Sequence, residues 1–573
     1  MTPSLRTVVP PAVAATIADR LLRHTAPGTR VVRHTIDRAG PVDMDLPDER
    51  AVQAACGLMH VHGRATGGPA PLAVDYASVV AGVLAAQGAT AVAIGRARGL
   101  ELREVRTSVA QGALLAVGQY LAAATATEGD GPSEPTACAG GLATLDTCDG
   151  TRVELETLDP LAWREFWTRL GVPPALAGRG WLRFQQRFAT AVCPLPGELR
   201  EAARRRTPAE LRAVACDTGV SLLVVGSDPA PAVHPAPWRL TPAPDAHPRR
   251  PVPAPAPAGP DTGATPSLPL AGLRVVESTR RVQGPLAGHV LRMLGAEVIR
   301  IEPPGGDPMR WLPPLAGGTS ARFTALNAGK RVVEADLATA GGRDTVRALA
   351  AEADVFVHNW APGKAGRLGL DAADLSTARP ALVYAWASGF GDTLGDRPPL
   401  GTDYLAQVHG GLAAAVRPAD EPPAPSLMTL TDVLGGLVCA QGVLAALAAR
   451  ERTGRGCRVD SSLISAAALI PRPAHRVRWT ALDRPLRTAD GHLYLGAEAR
   501  ARPEAVHRLL APAGFAALTT EECAGRLAAA GLTATPVHTD LAALADDPAF
   551  KAAVAPPDPV IGHARPHAPW EFA

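Results

Sequence analysis

One carboxylate, Asp432, stands at the mouth of an uncharged run, Val433 to Ala449, within "SLMTLTDVLGGLVCAQGVLAALAAR" (426–450). An acid where a buried helix begins is either a cap or a reagent. As a cap, Thr431 or Asp432 would accept the first free N–H groups and contribute about 1 kcal/mol. As a reagent it would have to face a substrate. Two loops offer partners for one. "EPPGGDPMR" has a flexible Gly pair followed by Arg310, and "NWAPGKAGR" has a flat Trp360 near Lys364 and Arg367. Glycine lets backbone approach a ligand, Trp can stack on a base, and Arg or Lys can pair with phosphate, so the set suits a nucleotide-bearing ligand. The plainer reading is two ordinary turns, because neither loop is a GxxxxGK[ST] or GxGxxG motif. The chain has no HExxH, no GxSxG and no Cys/His cluster, so zinc-protease, hydrolase-elbow and metal readings lack support. His358 and His409 read as packed or solvated residues.

The elements that would position these groups are strands alternating with helical patterns. "LRVVES", "AEVIRIEPP", "DVFVHNW" and "ALVYAWASGFG" read as strands, and "PLAGHVLRMLG" and "RDTVRALAAEA" as helices. This argues for an α/β fold with a parallel sheet. Ligands of such sheets sit at the carboxyl ends of the strands, here "EPPGGDPMR", "HNWAPG" and "SGFGD".

At 573 residues the chain exceeds one ordinary domain. Residues 228 to 268 are dense in Pro and Ala, which predicts a semi-rigid spacer unable to form a ladder. On either side of it, residues 49–115 can be laid on 403–469 without a gap. Of the 67 paired positions 19 are identical, and they include Gln53/Gln407, Gly82/Gly436 and Gln87-Gly88/Gln441-Gly442, which shared alanine content does not explain. Two Asp-Gly turns, Asp149-Gly150 and Asp490-Gly491, each precede a strand-like run, and "TPAELRAVACDTGVSLLVV" resembles "TTEECAGRLAAAGLTATPV" as a capped helix, a Gly stop and a strand. The first half therefore reads as a truncated copy of the second, beginning near residue 49 and lacking any counterpart of 269–400. The expected units are a degenerate copy over 1–227, a linker over 228–268, a large domain over 269–480 and a small domain over 481–573. Ser78 is the residue matching Asp432. The helix occurs twice and the acid at its start once.

Lys plus Arg number 57 against 55 Asp plus Glu, so a nucleic-acid partner is not expected. The eight cysteines show no CxxC pair or metal spacing and read as reduced thiols of a cytoplasmic protein. The N-terminal segment lacks the apolar core of a signal peptide, and the run after Asp432 is short of the ~20 apolar residues of a membrane span, so no membrane partner is expected.

In order, "LAGLRVVESTRRVQGPLAGHVLRMLGAEVIRIEPPGGDPMR", "FTALNAGKRVVEADL", "ADVFVHNWAPGKAGRLGL", "GTDYLAQVHGGL", "LTDVLGGLVCAQGVLAALAARERTGRGCRVDSSL" and "PLRTADGHLYLGA" resemble the successive motifs of the class III CoA-transferases, the CaiB/BaiF family that also contains the α-methylacyl-CoA racemases. The resemblance spans about 270–573 and, in degenerate form, about 49–225. It implies a large CoA-binding domain and a small α/β domain of the interlocked type. The nucleophilic aspartate falls on Asp432, and the CoA-contacting positions on Val282, Gln283, Asn359, Trp360 and Arg367, with Arg310 in the neighbouring loop. It implies acyl-CoA and a small carboxylic acid as substrates and no permanently bound cofactor. A carboxylate attacking a thioester carbonyl gives a mixed anhydride, and released CoA thiolate then gives an aspartyl-CoA thioester. At a helix N-terminus, free N–H groups would keep the acid ionised and steady the oxyanions.

Thr402 precedes Asp403 where the racemases carry His, which favours transfer over racemisation. The Gly-rich loop expected between about 470 and 488 is replaced by a short basic stretch, with "ACAGGLATLD" in the first half as its candidate substitute. The expected assembly is an intramolecular pseudo-dimer or a homodimer. The alternatives are a racemase-like isomerase and a non-catalytic acyl-CoA-binding relic.

Overall fold

In the structure, a computed structural model, residues 11–25, 32–127, 135–230, 235–243, 268–392, 394–395, 398–511 and 514–573 are described. The large sheet has seven strands, numbered in chain order: β1 Trp238–Pro242, β2 Arg274–Ser278, β3 Glu297–Glu302, β4 Arg331–Glu334, β5 Val355–His358, β6 Val383–Ser388 and β7 Cys457–Ser462. Their spatial order is β4-β3-β2-β5-β6-β7-β1. All neighbours from β4 to β7 are parallel, and β1 closes the edge antiparallel to β7. Every residue of β5 and β6 is buried, as expected for apolar strands covered on both faces. The α/β reading with a large, mostly parallel sheet holds.

Strand β1 lies inside the stretch expected to be unable to enter a ladder. It does so as an edge strand, where one side needs no partner and "WRLT" supplies N–H groups between the prolines. Trp238 anchors it, 1% exposed. Positions 231–234 and 244–267 of the predicted spacer lie outside the described residues.

Six helices frame the core and the site: α1 Ala12–His24, α2 Tyr76–Ala97, α3 Pro174–Thr190, α4 Gln283–Met293, α5 Asp403–His409 and α6 Leu430–Thr453. α2 and α6 pack against each other at the centre. Both are long and apolar enough to cross a membrane, and both are buried in the protein interior. Their glutamine amides donate across the contact: Gln87 Nε2 donates to Leu437 O at 2.7 Å, and Gln441 Nε2 to Thr90 Oγ1 at 3.0 Å. These are the two glutamines paired by the 354-residue offset.

The same offset organises what packs on each helix. Gly88 faces Val105 and Trp570, and Gly442 faces Val459 and Trp238. Strands Arg33–Asp37, Glu104–Ser108 and Glu571–Phe572 form a small sheet with the parallel-then-antiparallel pairing of β6, β7 and β1. The linker after the first half and the end of the second half thus each add an edge strand, β1 to the large sheet and Glu571–Phe572 to the small one. The first half also holds more than the sequence predicted. α1 packs on α2 at Gly82, through Ala14 and Ile17, as α4 packs on α6 at Gly436, through Gln283 and Leu286. α1 and Arg33–Asp37 occupy places corresponding to α4 and β6, so the expectation that the first half has nothing matching 269–400 is corrected.

Two further three-stranded sheets are Leu145–Asp146, Arg152–Glu156, Ser221–Val224 and Leu486–Arg487, His492–Leu495, Ala534–Pro536. Each third strand follows a helix that opens with a capping box, Thr207/Glu210 or Thr519/Glu522.

The glycine contacts set a limit on the central helices. A Cβ at Gly436 would stand 2.6 Å from the carbonyl oxygen of Gln283. Gly436→Ala is expected to lower stability by a net ~1–2 kcal/mol, overpacking outweighing the gain in helix propensity, seen as a lower denaturation midpoint at unchanged slope.

Candidate active site

The first turn of α6 has backbone N–H groups without partners in their own helix. Those of Thr431 and Asp432 are taken by Asp403, the first residue of α5. Its Oδ1 accepts from Thr431 N at 2.6 Å, Thr431 Oγ1 at 2.6 Å and Asp432 N at 2.8 Å, and its Oδ2 accepts from Gln407 Nε2 at 2.5 Å. Gln407 is itself locked to the backbone of Ser426 in both directions. Asp403 is 2% exposed, and burial raises its pKa to about 6 against the pull of these four donors. The cap of α6 is therefore Asp403.

The carboxylate of Asp432 is left over. It makes no hydrogen bond among the described residues and lines a cavity of about 540 Å³. Burial first, then the charge of Asp403, pushes its pKa well up; the Arg281 guanidinium pulls it down and Glu156 adds to the rise. The sequence expectation that free N–H groups keep this acid ionised is thus corrected. Asp403 has consumed those of Thr431 and Asp432, and Arg281 is the group that favours the anion.

In the first half the same device exists without a surplus acid. Glu49 accepts from Ala77 N, Ser78 N and Ser78 Oγ at 2.9, 2.9 and 2.6 Å, and Gln53 Nε2 donates to it at 2.9 Å. Ser78, at the position of Asp432, is 5% exposed and bonded. Burial raises the Glu49 pKa to about 7.

The cavity lies at the carboxyl ends of β2, β5 and β6. After β2, Arg281 has φ +65°, a left-handed conformation that costs a non-glycine residue about 1–3 kcal/mol. Asn359 holds this turn, accepting from Arg280 N at 3.0 Å and donating to Arg280 O at 2.9 Å. Arg280, Trp360 and Lys364 also line a smaller cavity of about 210 Å³ at the ends of β2, β3 and β4, with the Lys364 ammonium 6.0 Å from the centre of the Trp360 ring. The opposite wall is built by the first half. Glu156, Thr157 and Leu158 and the α3 residues Gln185, Arg187 and Phe188 face into the cavity. Arg187 is buried, pairs with Glu156 at 2.8 Å, and lies 3.6 Å from the Phe184 ring and 4.5 Å from that of Tyr404, the neighbour of Asp403.

The family model for CoA-transferase family III matches residues 39–234 and 270–478. The chain belongs to CoA-transferase family III. It is 36% identical over 239 residues to the acetyl-CoA:oxalate CoA-transferase of Acetobacter aceti, a match covering 41% of this chain and 61% of that protein. It is 33% identical over 246 residues to the succinyl-CoA:glutarate CoA-transferase of Mus musculus, covering 40% of this chain and 56% of that one. The match thus spans under two thirds of these curated relatives. A CaiB/BaiF family protein from Brucella suis, a solved structure, is 28% identical with a TM-score of 0.46, over 51% of this chain and 90% of that chain.

Of the positions that the family III resemblance implies, Gln283, Asn359 and Trp360 share the cavity with Asp432. Val282 is buried behind the turn, 1% exposed. Arg310 is not brought to the cavity: Glu302 holds it by two bonds of 2.8 Å. Arg367 is exposed on the short helix Lys364–Leu368, outside the cavity wall. "ACAGGLATLD" does not line the cavity either; the first half contributes 156–158 and 185–188 instead. The basic stretch before 488 is pinned elsewhere, Arg484 to Asp420 and Glu421. Sequence reasoning missed Asp403, although acids recur at 49 and 403, and it missed Glu156 and Arg187, which no motif marks.

Removing the charge of Asp403 while keeping a capping oxygen gives a signed prediction. Asp403→Asn is expected to move the acidic limb of the pH–rate profile for CoA transfer to lower pH, because Asp432 loses a like charge. A limb that stays in place would contradict the electrostatic coupling.

Proposed function

We propose that this family III chain moves CoA from an acyl-CoA thioester to a carboxylic acid through a covalent intermediate on Asp432. The observation that carries the reading is the free carboxylate of Asp432, released from capping by Asp403 and facing a cavity that shares Gln283, Asn359 and Trp360. The relatives' names, acetyl-CoA:oxalate and succinyl-CoA:glutarate CoA-transferase, support the reaction class. CoA enters past Trp360, whose ring suits a base, and past Arg280 and Lys364, whose charges suit phosphates. Arg367 and Arg310 stand outside this path unless they move; Val282 acts through the turn.

Asp432 attacks the thioester carbonyl, the C–S bond breaks and CoA thiolate leaves a mixed anhydride. The thiolate attacks the Asp432 carbonyl, the first acid departs with one oxygen from the aspartate, and an aspartyl-CoA thioester remains. An incoming carboxylate reverses these steps, so the thioester energy is conserved. Arg281 favours the ionised nucleophile. Racemisation needs proton carriers on both faces of the α-carbon. No histidine is among the described cavity residues, and Thr402 occupies the position before Asp403. The relic reading leaves the unbonded acid without a purpose.

The first half, in this reading, is a degenerate duplicate serving as a built-in partner. The recurring 354-residue offset in caps, glutamines and glycines supports it, as do the edge strands added by the linker and the end of the second half. The four proposed units remain 1–227, 228–268, 269–480 and 481–573, with β1 of the linker docked on the second. Eight unpaired cysteines fit a cytoplasmic setting.

Incubation with acyl-CoA and hydroxylamine is expected to convert Asp432 to a hydroxamate, located by peptide mass spectrometry, and Asp432→Asn to lose transfer by at least ~10³-fold. Undiminished transfer by that variant would rule out the mechanism. Light scattering is expected to give a monomer of 59.1 kDa. An obligate dimer with two identical sites would sink the built-in partner.

A further inference from the structure

A second chamber, about 490 Å³, opens beside the Asp432 cavity, and the two share Leu158, Gln185, Phe188, Arg280 and Arg281. Its volume is in the range that takes drug-sized ligands. One wall is the first half, through Leu158 and α3; the other is the loop after β3, through Pro308, Met309, Trp311 and Leu312. Leu158 and Trp311 are large apolar side chains left 47% and 63% exposed. Their exposure at one chamber, from opposite halves, is what an apolar ligand would cover.

The charges are arranged unevenly. Arg280 and Arg281 stand at the neck between the two cavities, where Arg281 faces the Asp432 carboxylate across the cavity and neither guanidinium is in direct contact with a carboxylate among the described residues. The Arg281 guanidinium lies 5.8 Å from the centre of the Phe188 ring. Deeper in, the ionisable side chain is Asp307, already bonded to Arg300 at 2.6 Å and to Met309 N at 2.9 Å. A carboxylate is therefore welcome at the neck and unwelcome beyond it, where it would lose water against Met309, Trp311 and Leu312 and meet a fixed acid.

We infer that this chamber takes the carbon body of the substrate acid, and that the chain acts on monocarboxylates with an extended apolar chain or ring rather than on short dicarboxylates. The inference rests on the CoA-transfer reading of Asp432. CoA occupies the branch lined by Trp360 and Lys364, which leaves the chamber for the acyl group. Donor and acceptor acids use it in turn, because each must present its carbonyl to the same aspartate. Leu158 is the specificity-determining residue contributed by the first half.

The test pairs turnover with binding on the full chain. The kcat/KM values for hexanoyl-CoA and phenylacetyl-CoA are expected to exceed those for acetyl-CoA and succinyl-CoA at least ~10-fold. By calorimetry, free phenylacetate binds and succinate does not. Leu158→Arg, which puts a cation inside the chamber, is expected to reverse the phenylacetyl to succinyl preference in both measurements, whereas Leu158→Met retains it. Turnover that prefers succinyl-CoA, or a preference unmoved by Leu158→Arg, overturns the inference while leaving the transfer reading standing. Absence of turnover with every donor, together with phenylacetate binding lost in Leu158→Arg, overturns the transfer reading and upholds the chamber. Absence of both overturns the chamber as well.

Discussion

The carboxylate of Asp403 holds the first turn of α6 from outside that helix, and the site depends on this contact. A helix that supplied its own cap from its first turn would have consumed the acid placed there. Here α5 provides the cap, fixed in turn by Gln407 and the Ser426 backbone. Asp432 is consequently unbonded, half-buried and oriented into the cavity. The cost is two acids in one buried region: burial raises the pKa of each, and the charge of Asp403 adds to the rise at Asp432. Arg281, held in a strained turn that Asn359 secures, supplies the opposing charge.

The two halves depend on each other in a way neither could satisfy alone. The central helices bury their glutamines against each other, the large sheet takes its last strand from the linker and the small one from the end of the second half, and the cavity has walls from both. Where the first half repeats the capping device, serine replaces the free acid and closes the hydrogen-bond set. The first half also contributes Arg187 under Tyr404 as a support for α5.

Much of this was legible in the sequence because it rests on local patterns. Apolar runs gave the parallel strands, and the gapless 354-residue comparison located α2 and α6 with their glycines and glutamines. Asp432 stood out because its counterpart is Ser78. What was not legible depends on tertiary contact. α1 matches α4 at a separation of 269 residues, in the pairs Ala14/Gln283 and Ile17/Leu286, so a comparison without gaps passes over it. Strand β1 has a composition that speaks against a ladder, and only an edge makes it acceptable. Arg310 looked available until Glu302 was found to hold it. Glu156 and Arg187 carry no motif, since their role comes from the packing of the first half onto α5.

The central claim is that Asp432, and not the acid beside it, exchanges bonds with the substrates. Turnover with an acceptor acid labelled with heavy oxygen in its carboxylate tests this most directly, because the incoming acid leaves one of its oxygens on the nucleophile when CoA departs. The account predicts that the label appears in the peptide containing Asp432 and is located on that side chain by fragmentation. Label on Asp403 or Glu156, or sustained turnover with no label in the protein, would contradict it.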